Sequence, residues 1–386
     1  MPLLNSAVEM QGEVAGWRRH LHSNPEILFD VVNTAAFVAD KLREFGCDDV
    51  VTGIGRTGVV GLIKGRLGDG RVIGMRADMD ALPIQEATNL PYASTTSGKM
   101  HACGHDGHTA MLLGAARHLC ETRNFRGSVA VIFQPAEEGG GGGREMVKDG
   151  MMDRFGIREV YGLHNMPGLG LGEFAIRKGG IMAATDMFDI TITGKGGHAA
   201  MPHLTVDPVM IGAQMVTALQ TIVSRSTDPV SSLVISVTCF NAGDTYNVIP
   251  QSAKLRGTFR TLDPAVREDA EKRIRHVAAN VAETFGAEAK VGIHRGYPVT
   301  MNHPDQTDFA IDVASSVSGK AKVNPEVAPV MGGEDFSYML EARPGAFIFM
   351  GNGDSAFLHH PEYDFNDDAI PHGVSYWVAL AETALA

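Results

Sequence analysis

Residues 127–143 read GSVAVIFQPAEEGGGGG. The run from Val129 to Phe133 is apolar and β-branched, and its length suits a buried strand. It stops at Pro135-Ala136-Glu137-Glu138 and then five glycines. A glycine run after a strand raises the idea of a phosphate loop. This one lacks the GK[ST] ending, and its preceding carboxylates would repel phosphate. Adjacent acids at a strand end suit a different division of labour. One carboxylate binds a metal, and its neighbour takes a proton from a metal-bound water. Two solvated glutamates are the plainer alternative. Their place between a buried strand and a glycine-rich loop weakens it.

The strands around this one deliver more of the same chemistry. TGVVGLIKG and RVIGMRA read as strands linked through the turn-rich LGDG, and the second runs into Asp78-Met79-Asp80. REVYGLHNMP reads as a further strand carrying His164 near its end. Parallel strands with helical crossovers gather their C-terminal ends on one edge, where open α/β sheets hold ligands. Asp78 and Asp80 can hold a metal, orient a histidine or simply form a turn.

Between these strands lies His101-Ala102-Cys103-Gly104-His105-Asp106-Gly107-His108. Imidazole and thiolate are good ligands for zinc and its neighbours, and such a density of them points to metal. Two glycines let the backbone bend tightly. TAMLLGAARHLCE then reads as a helix, which puts the cluster just before a helix N-terminus. A polar loop with satisfied histidines is the alternative.

Upstream, residues 12–46 read as helical with a break at SNPE. Phe37, Val38, Leu42 and Phe45 fall at helical spacing, and Gly46 follows as a stop. His20 and His22 stand outside any cluster and read as ordinary residues. From Ala184 the pattern changes. TDMFDITITGKG alternates as a half-exposed strand, with Met187, Ile190 and Ile192 as its apolar positions. A helix from about Val206, the strands SSLVISVTCF and AKLRGTFRTL, a helix near 264–285 and the strand AKVGIHRGYP follow. These fit an α+β sandwich with helices on one sheet face. The expected organisation is a catalytic domain in two parts, 1–183 and 298–386, with an inserted satellite, 184–297. The second part carries Met331-Gly332-Gly333-Glu334-Asp335-Phe336-Ser337, the strand AFIFMGNG, the tail from Phe357 to Asp367 with His359 and His360, and a closing helix over 371–386.

Composition narrows the setting. The chain has 386 residues, 44% hydrophobic and 20% charged, with a net charge of −12. That balance disfavours nucleic acid and anionic membranes as partners. The start, MPLLNSAVEMQGEV, lacks the pattern of a secretory signal, and no apolar run approaches the roughly 18 residues that span a bilayer. Cys47, Cys103, Cys120 and Cys239 are spread along the chain, which suits a reducing cytosol and ligands or buried thiols rather than disulfides. A cytoplasmic location is the expectation.

The candidate ligands are Cys103, His105, Glu138, His164 and one of His359 or His360. That exceeds one four-coordinate zinc and suits two metals about 3.5–4 Å apart. A single thiolate among imidazoles and carboxylates argues against a closed structural site. Two metals and a spare glutamate imply hydrolysis: one metal polarises a carbonyl, a bridging water becomes hydroxide, and Glu137 carries its proton to the leaving amine.

RADMDALPIQE, CGHDGHTAML, FQPAEEGGGG, LHNMP, GKGGHAAMPH, NVIPQSAKLRGTFRTL, GGEDFS and LHHPEYDFND, in this order, resemble the M20 metallopeptidase family. The closest branch is that of hippurate hydrolases, N-acyl-amino-acid amidohydrolases and auxin-conjugate hydrolases. The resemblance implies an α/β fold, with a mixed, largely parallel sheet flanked by helices and an inserted α+β satellite, and a homodimer formed through that satellite. It implies Cys103, His105, Glu138, His164 and His359 as ligands of two divalent ions, and Glu137 as general base. Zinc is the default metal; manganese, cobalt and nickel also suit mixed ligands. His359 is chosen over His360 because the family's ligand stands four residues before the tyrosine of YDFND. Other branches place a His-x-Asp pair at Asp78-Met79-Asp80; here Asp80 is expected to orient His105 from behind. His198 matches a satellite histidine that reaches the substrate carbonyl oxygen, often from the partner subunit. Asn247 and Arg260 match positions near the substrate, and Arg260 would pair with an α-carboxylate. The implied reaction cleaves small N-acyl-L-amino acids to a carboxylic acid and an amino acid. A dipeptidase or aminoacylase of the same family is the alternative, and a non-catalytic metal-binding protein on this fold is a third. Retention of both Glu137 and Glu138 speaks against the third.

Overall fold

The computed structural model describes residues 3–386, so Met1 and Pro2 of the expected N-terminal reading lie outside the described residues. The chain divides into two compact units. One contains the residues up to Ile181, Met301–Ala328 and Asp335–Ala386; the other contains Met182–Thr300 and Pro329–Glu334.

After a short helical segment over Asn5–Glu9, the first unit has helices α1 (Gln11–Ser23) and α2 (Val32–Phe45). Gly46 ends α2 in the left-handed region, at φ 82°, and its N–H donates to the Arg43 carbonyl. Strands β1 (Asp49–Ile54), β2 (Gly58–Lys64) and β3 (Val72–Asp78) follow, then helix α3 (His105–Thr122), β4 (Ser128–Gln134), β5 (Ile157–Met166) and β6 (Phe174–Ala175). β1 has no counterpart in the sequence reading, because most of its residues are polar or half-exposed.

The second unit supplies β7 (Ala184–Thr193), α4 (Pro208–Thr221), β8 (Leu233–Ala242), β9 (Ser252–Thr261), α5 (Pro264–Thr284) and β10 (Glu288–Arg295). Its four strands run in the order β8-β9-β7-β10, all antiparallel. Phe188, Ile190, Ile192, Leu255 and Phe259 point inward onto Ile211, Met215, Leu219, Ile274 and Ala278 of the two helices. Met187 faces outward instead, 57% exposed; Phe188 takes the inward position on the two-residue period of the strand. Both helices start on an aspartate followed by proline: Asp207 accepts from the Val209 N–H, and Asp263 from those of Ala265 and Val266.

The chain then returns to the first unit through α6 (Pro304–Ser318), β11 (Val323–Asn324), β12 (Gly345–Gly351) and α7 (Ile370–Ala384). Here the expected boundary needs correction. Pro329–Glu334 belongs with the second unit, because Val330 bridges Met182, the Ala183 N–H donates to the Gly332 carbonyl, and Thr300 Oγ1 donates to the Glu334 carbonyl. The motif GGEDFS is therefore divided between the units after Glu334.

The large sheet has eight strands in the order β1-β2-β4-β3-β5-β12-β6-β11. β4, β3, β5 and β12 are mutually parallel. β2 and β3 are consecutive but not neighbours; β4 lies between them. The central strands are buried along almost their whole length, which is why they read as unbroken apolar runs. Asp78 is in register with Gln134, and Arg76 with Gly162. The Asp78–Asp80 segment, the Glu137–Glu138 loop and His164 therefore emerge at one level of the sheet. α3 packs against α1, α2 and α7, and every residue from His101 to Ala116 is buried. Among the described residues, no helix is long and apolar enough to cross a membrane.

Candidate metal centre

The helix α3 begins at His105, one residue after its N-cap Gly104, so His105 and His108 lie in its first turn rather than in a preceding loop. Gly104 sits at φ 89° between Cys103 and His105. A Cβ there would overlap the Asn165 amide and lie 2.5 Å from Tyr363 Oη. Asn165 explains the crowding: its Nδ2 donates to the Cys103 carbonyl at 2.7 Å, and its Oδ1 accepts from Tyr363 at 2.7 Å. Glycine is required here both for the backbone angle and for this close approach.

Five of the expected residues converge. Cys103, His105 and His164 have donor atoms within 4.8 Å of one another, and so do Cys103, Glu138 and His359. Cys103 Sγ lies 3.4 Å from His164 Nε2, and His359 Nε2 lies 3.3 Å from Glu138 Oε1. The two triads share Cys103. His360 turns elsewhere; its Nδ1 accepts from the Glu362 N–H. Glu137 is 7% exposed, and its carboxylate lies within 4.8 Å of the donor atoms of His105 and Glu138. Two residues of this loop system take left-handed backbone, Ala136 at φ 54° and His359 at φ 65°. Strain of this kind persists where surrounding structure enforces it, often at functional sites.

The donor set fits divalent metal. His164 Nδ1 donates to the Asn165 carbonyl and His105 Nδ1 to the Asp80 carbonyl, which leaves the Nε2 lone pair of each as the ligating one. His105 Nε2 is buried with no hydrogen-bond partner, and Glu138 Oε1 is buried with only the 3.3 Å approach of His359 Nε2. Buried polar atoms are rarely left so, unless a ligand completes them. The charge balance agrees. Burial and the coupling to His108 hold His164 well below the usual imidazole range, so it stays neutral. Burial and then Glu138 and Glu137 push the Cys103 thiol up. Burial lowers His105, but Asp78, Asp80 and Glu138 outweigh it and raise it to about 10. Without metal, a proton on His105 supplies the positive charge these carboxylates need; a cation would displace it.

Asp78, His105 and His108 form another close group, but Asp78 and His108 are otherwise committed. Asp78 pairs with Arg76 at 2.8 Å and accepts from His108 Nδ1 at 2.7 Å, and His108 Nε2 accepts from the Asn165 N–H. The role expected of Asp80 is also redistributed. Its backbone carbonyl holds His105, whereas its carboxylate is 3.7 Å from that ring and accepts the N–H groups of Glu137 at 2.8 Å and Glu138 at 3.1 Å. The Asp80 carboxylate therefore sets the glutamate pair.

Sequence reasoning missed the support beneath the cluster. His22 is fully buried, not ordinary; its ring bonds to Asp106 at 2.8 Å and approaches Glu86 at 3.3 Å. Arg18, also fully buried, bonds to Asp364 and Asp367 and stands 3.6 Å from Asp106. This arginine ties the segment after His359 to the first turn of α3. The four-residue spacing of Arg18 and His22 on α1 was the available signal. The remaining expected residues belong to the second unit. His198 is exposed in a short strand paired with Val248–Ile249, and the Ala199 N–H donates to the Asn247 carbonyl. Arg260 is half-buried on β9, and burial lowers it from its usual value.

A cluster of one cysteine, three histidines and a glutamate at the C-terminal edge of a parallel sheet, buried at Cys103, His105 and His164 and open to solvent at His359, defines a metal-dependent hydrolase. Comparison with known proteins gives the family: the sequence profile of peptidase family M20/M25/M40 matches residues 74–383, and the chain belongs to that family, in its amidohydrolase branch. It is 42% identical to hippurate hydrolase of Campylobacter jejuni over 381 residues, 99% of each chain. It is 42% identical to N-acetyl-L-cysteine deacetylase of Bacillus subtilis, over 94% of this chain and 85% of the relative. Among solved structures, the YXEP protein of Bacillus subtilis, described as a dinuclear metal binding peptidase of family M20, superposes with a TM-score of 0.87 at 34% identity, covering 98% of this chain and 99% of that one.

Proposed function

We propose that this metal-dependent amidohydrolase cleaves the amide bond of N-acyl-L-amino acids of the hippurate type, with Glu137 as general base. The observation that carries the reading is the buried Glu137 carboxylate beside His105 and Glu138, its backbone held by Asp80. Cys103, His105, Glu138, His164 and His359 would hold two divalent ions, zinc by default and manganese, cobalt or nickel as substitutes. When bound, these ions supply Lewis acidity to the amide carbonyl and to the attacking water. Glu137 accepts the water's proton and returns it to the nitrogen as the C–N bond breaks, giving a carboxylic acid and an amino acid. His198 donates to the developing oxyanion, and Arg260 with Asn247 receives the substrate's α-carboxylate. The enzyme acts as a cytoplasmic homodimer joined through the satellite, 184–297. The 42% identity over 99% of both chains to a hippurate hydrolase supports the acyl class. The equal identity to an N-acetyl-L-cysteine deacetylase supports a second reading, an aminoacylase with a small acyl group.

The experiment is a substrate panel on the metal-loaded enzyme: hippurate, N-acetyl amino acids, indole-acetyl conjugates and dipeptides. Highest kcat/KM on hippurate-like amides is expected. Preference for N-acetyl amino acids selects the aminoacylase, and preference for free dipeptides overturns the N-acyl assignment.

A further inference from the structure

Two cysteines that lie far apart in sequence meet away from the metal cluster. Cys47 follows the end of α2, and Cys120 lies in the last turn of α3. Their sulfurs are 3.6 Å apart, and both are free thiols. The contact is held from outside. Arg123, the residue ending α3, donates to the Gly46 carbonyl at 2.7 Å, to Asp48 at 2.7 Å and to the Lys64 carbonyl at 2.8 Å. That guanidinium brackets Cys47 on both sides and presses its segment onto the C-terminal end of α3. Cys47 is part-exposed and Cys120, in contact with it, keeps 8% exposure, so a molecule as small as a peroxide reaches the pair beside Cys47.

We propose that Cys47 and Cys120 are a redox modification site, closing to an intramolecular disulfide on two-electron oxidation by a peroxide. The distance leaves a shift of about 1.5 Å to the bonded S–S length near 2.05 Å, within side-chain rotation at the ends of two elements. The pair also divides its roles. Hydrogen bonding from the Cys47 thiol and the nearby Arg123 pull Cys120 below the usual thiol value against its burial, while Cys47 is raised. The Cys120 thiolate attacks one peroxide oxygen; the O–O bond breaks, and the departing hydroxide takes a proton to become water. The Cys47 sulfur then attacks the Cys120 sulfenic acid. The S–S bond forms, the S–O bond breaks, and the oxygen leaves with the Cys47 proton as a second water. Two thiols and one peroxide give one disulfide and two waters. The link would fasten the far end of the helix whose first turn carries His105.

The test uses the full, metal-loaded protein treated with hydrogen peroxide, quenched, alkylated and mapped by mass spectrometry. The expected product joins the Cys47 and Cys120 peptides, is lighter than the reduced chain by about 2 Da, melts at a higher temperature and reverts with dithiothreitol. Cys47→Ser and Cys120→Ser should each abolish the product, while Cys239→Ser should leave it unchanged. Both thiols remaining alkylatable at peroxide doses that oxidise Cys239 would overturn the proposal. So would oxygen adducts at Cys47 or Cys120 without a cross-link, or a cross-link that survives in Cys47→Ser.

Discussion

Replacing Gly104 by alanine tests whether the backbone between the proposed ligands Cys103 and His105 is as tightly determined as its contacts imply. Gly104 sits at φ 89°, where a side chain costs roughly 1–2 kcal/mol. The added Cβ would also overlap the Asn165 amide, lie 2.5 Å from Tyr363 Oη and 2.9 Å from Asn165 Cγ. Relief requires Asn165 to move. That breaks at least one of its buried hydrogen bonds, to the Cys103 carbonyl or to Tyr363, at about 1–3 kcal/mol. The sum is roughly 2–5 kcal/mol, a large part of the roughly 5–15 kcal/mol by which a domain is stable. Gly98 provides the control: its φ is 73°, and nothing lies within 4 Å of a Cβ there. Gly98→Ala therefore carries only the backbone cost. Urea unfolding of both variants separates the two terms, and metal content after dialysis reports whether Cys103 and His105 remain in place. Gly104→Ala should unfold at clearly lower urea than Gly98→Ala and retain less metal. If the two variants unfold together and bind metal equally, the packing described around Asn165 is wrong.

Other expectations follow from the same geometry. His359→Ala should lose metal, whereas His360→Ala, whose ring faces Glu362, should retain it; metal analysis of the two decides between them. Asp80→Asn keeps the carbonyl that holds His105 but offers only one acceptor to the N–H groups of Glu137 and Glu138, so kcat should fall tenfold or more, about 1.4 kcal/mol, while KM changes little. His22 is raised to about 9, because Asp106 and Glu86 outweigh its burial. Its protonation therefore stabilises the fold fully below about pH 6.5, and this contribution is lost as pH rises towards 9. Against His22→Gln, the parent's stability advantage in urea should shrink across that window; an advantage that grows with pH contradicts the assignment.

Much of this was legible because parallel central strands are buried on both faces. VAVIF and RVIGMRA announce themselves as apolar runs, and the acids that end them stand out against the strands. The residues proposed as ligands stood out because thiol, imidazole and carboxylate cluster at those ends. What stayed hidden depends on register or long-range contact. One position of strand parity separates Met187 from Phe188. The contribution of Asp80 divides between its carbonyl and its carboxylate, which residue type cannot express. His22 and Arg18 looked ordinary because their partners Asp106, Asp364 and Asp367 come from distant segments. Cys47 and Cys120, 73 residues apart, looked unrelated for the same reason.

In the proposed reaction Glu137 is the base beside a separate set of ligands. The direct measurement is the metal content and hippurate turnover of Glu137→Gln. The variant should retain the parent's metal and lose turnover by about 10²–10⁴-fold. Turnover at the parent rate, or loss of metal in parallel with activity, would contradict the division between Glu137 and Glu138.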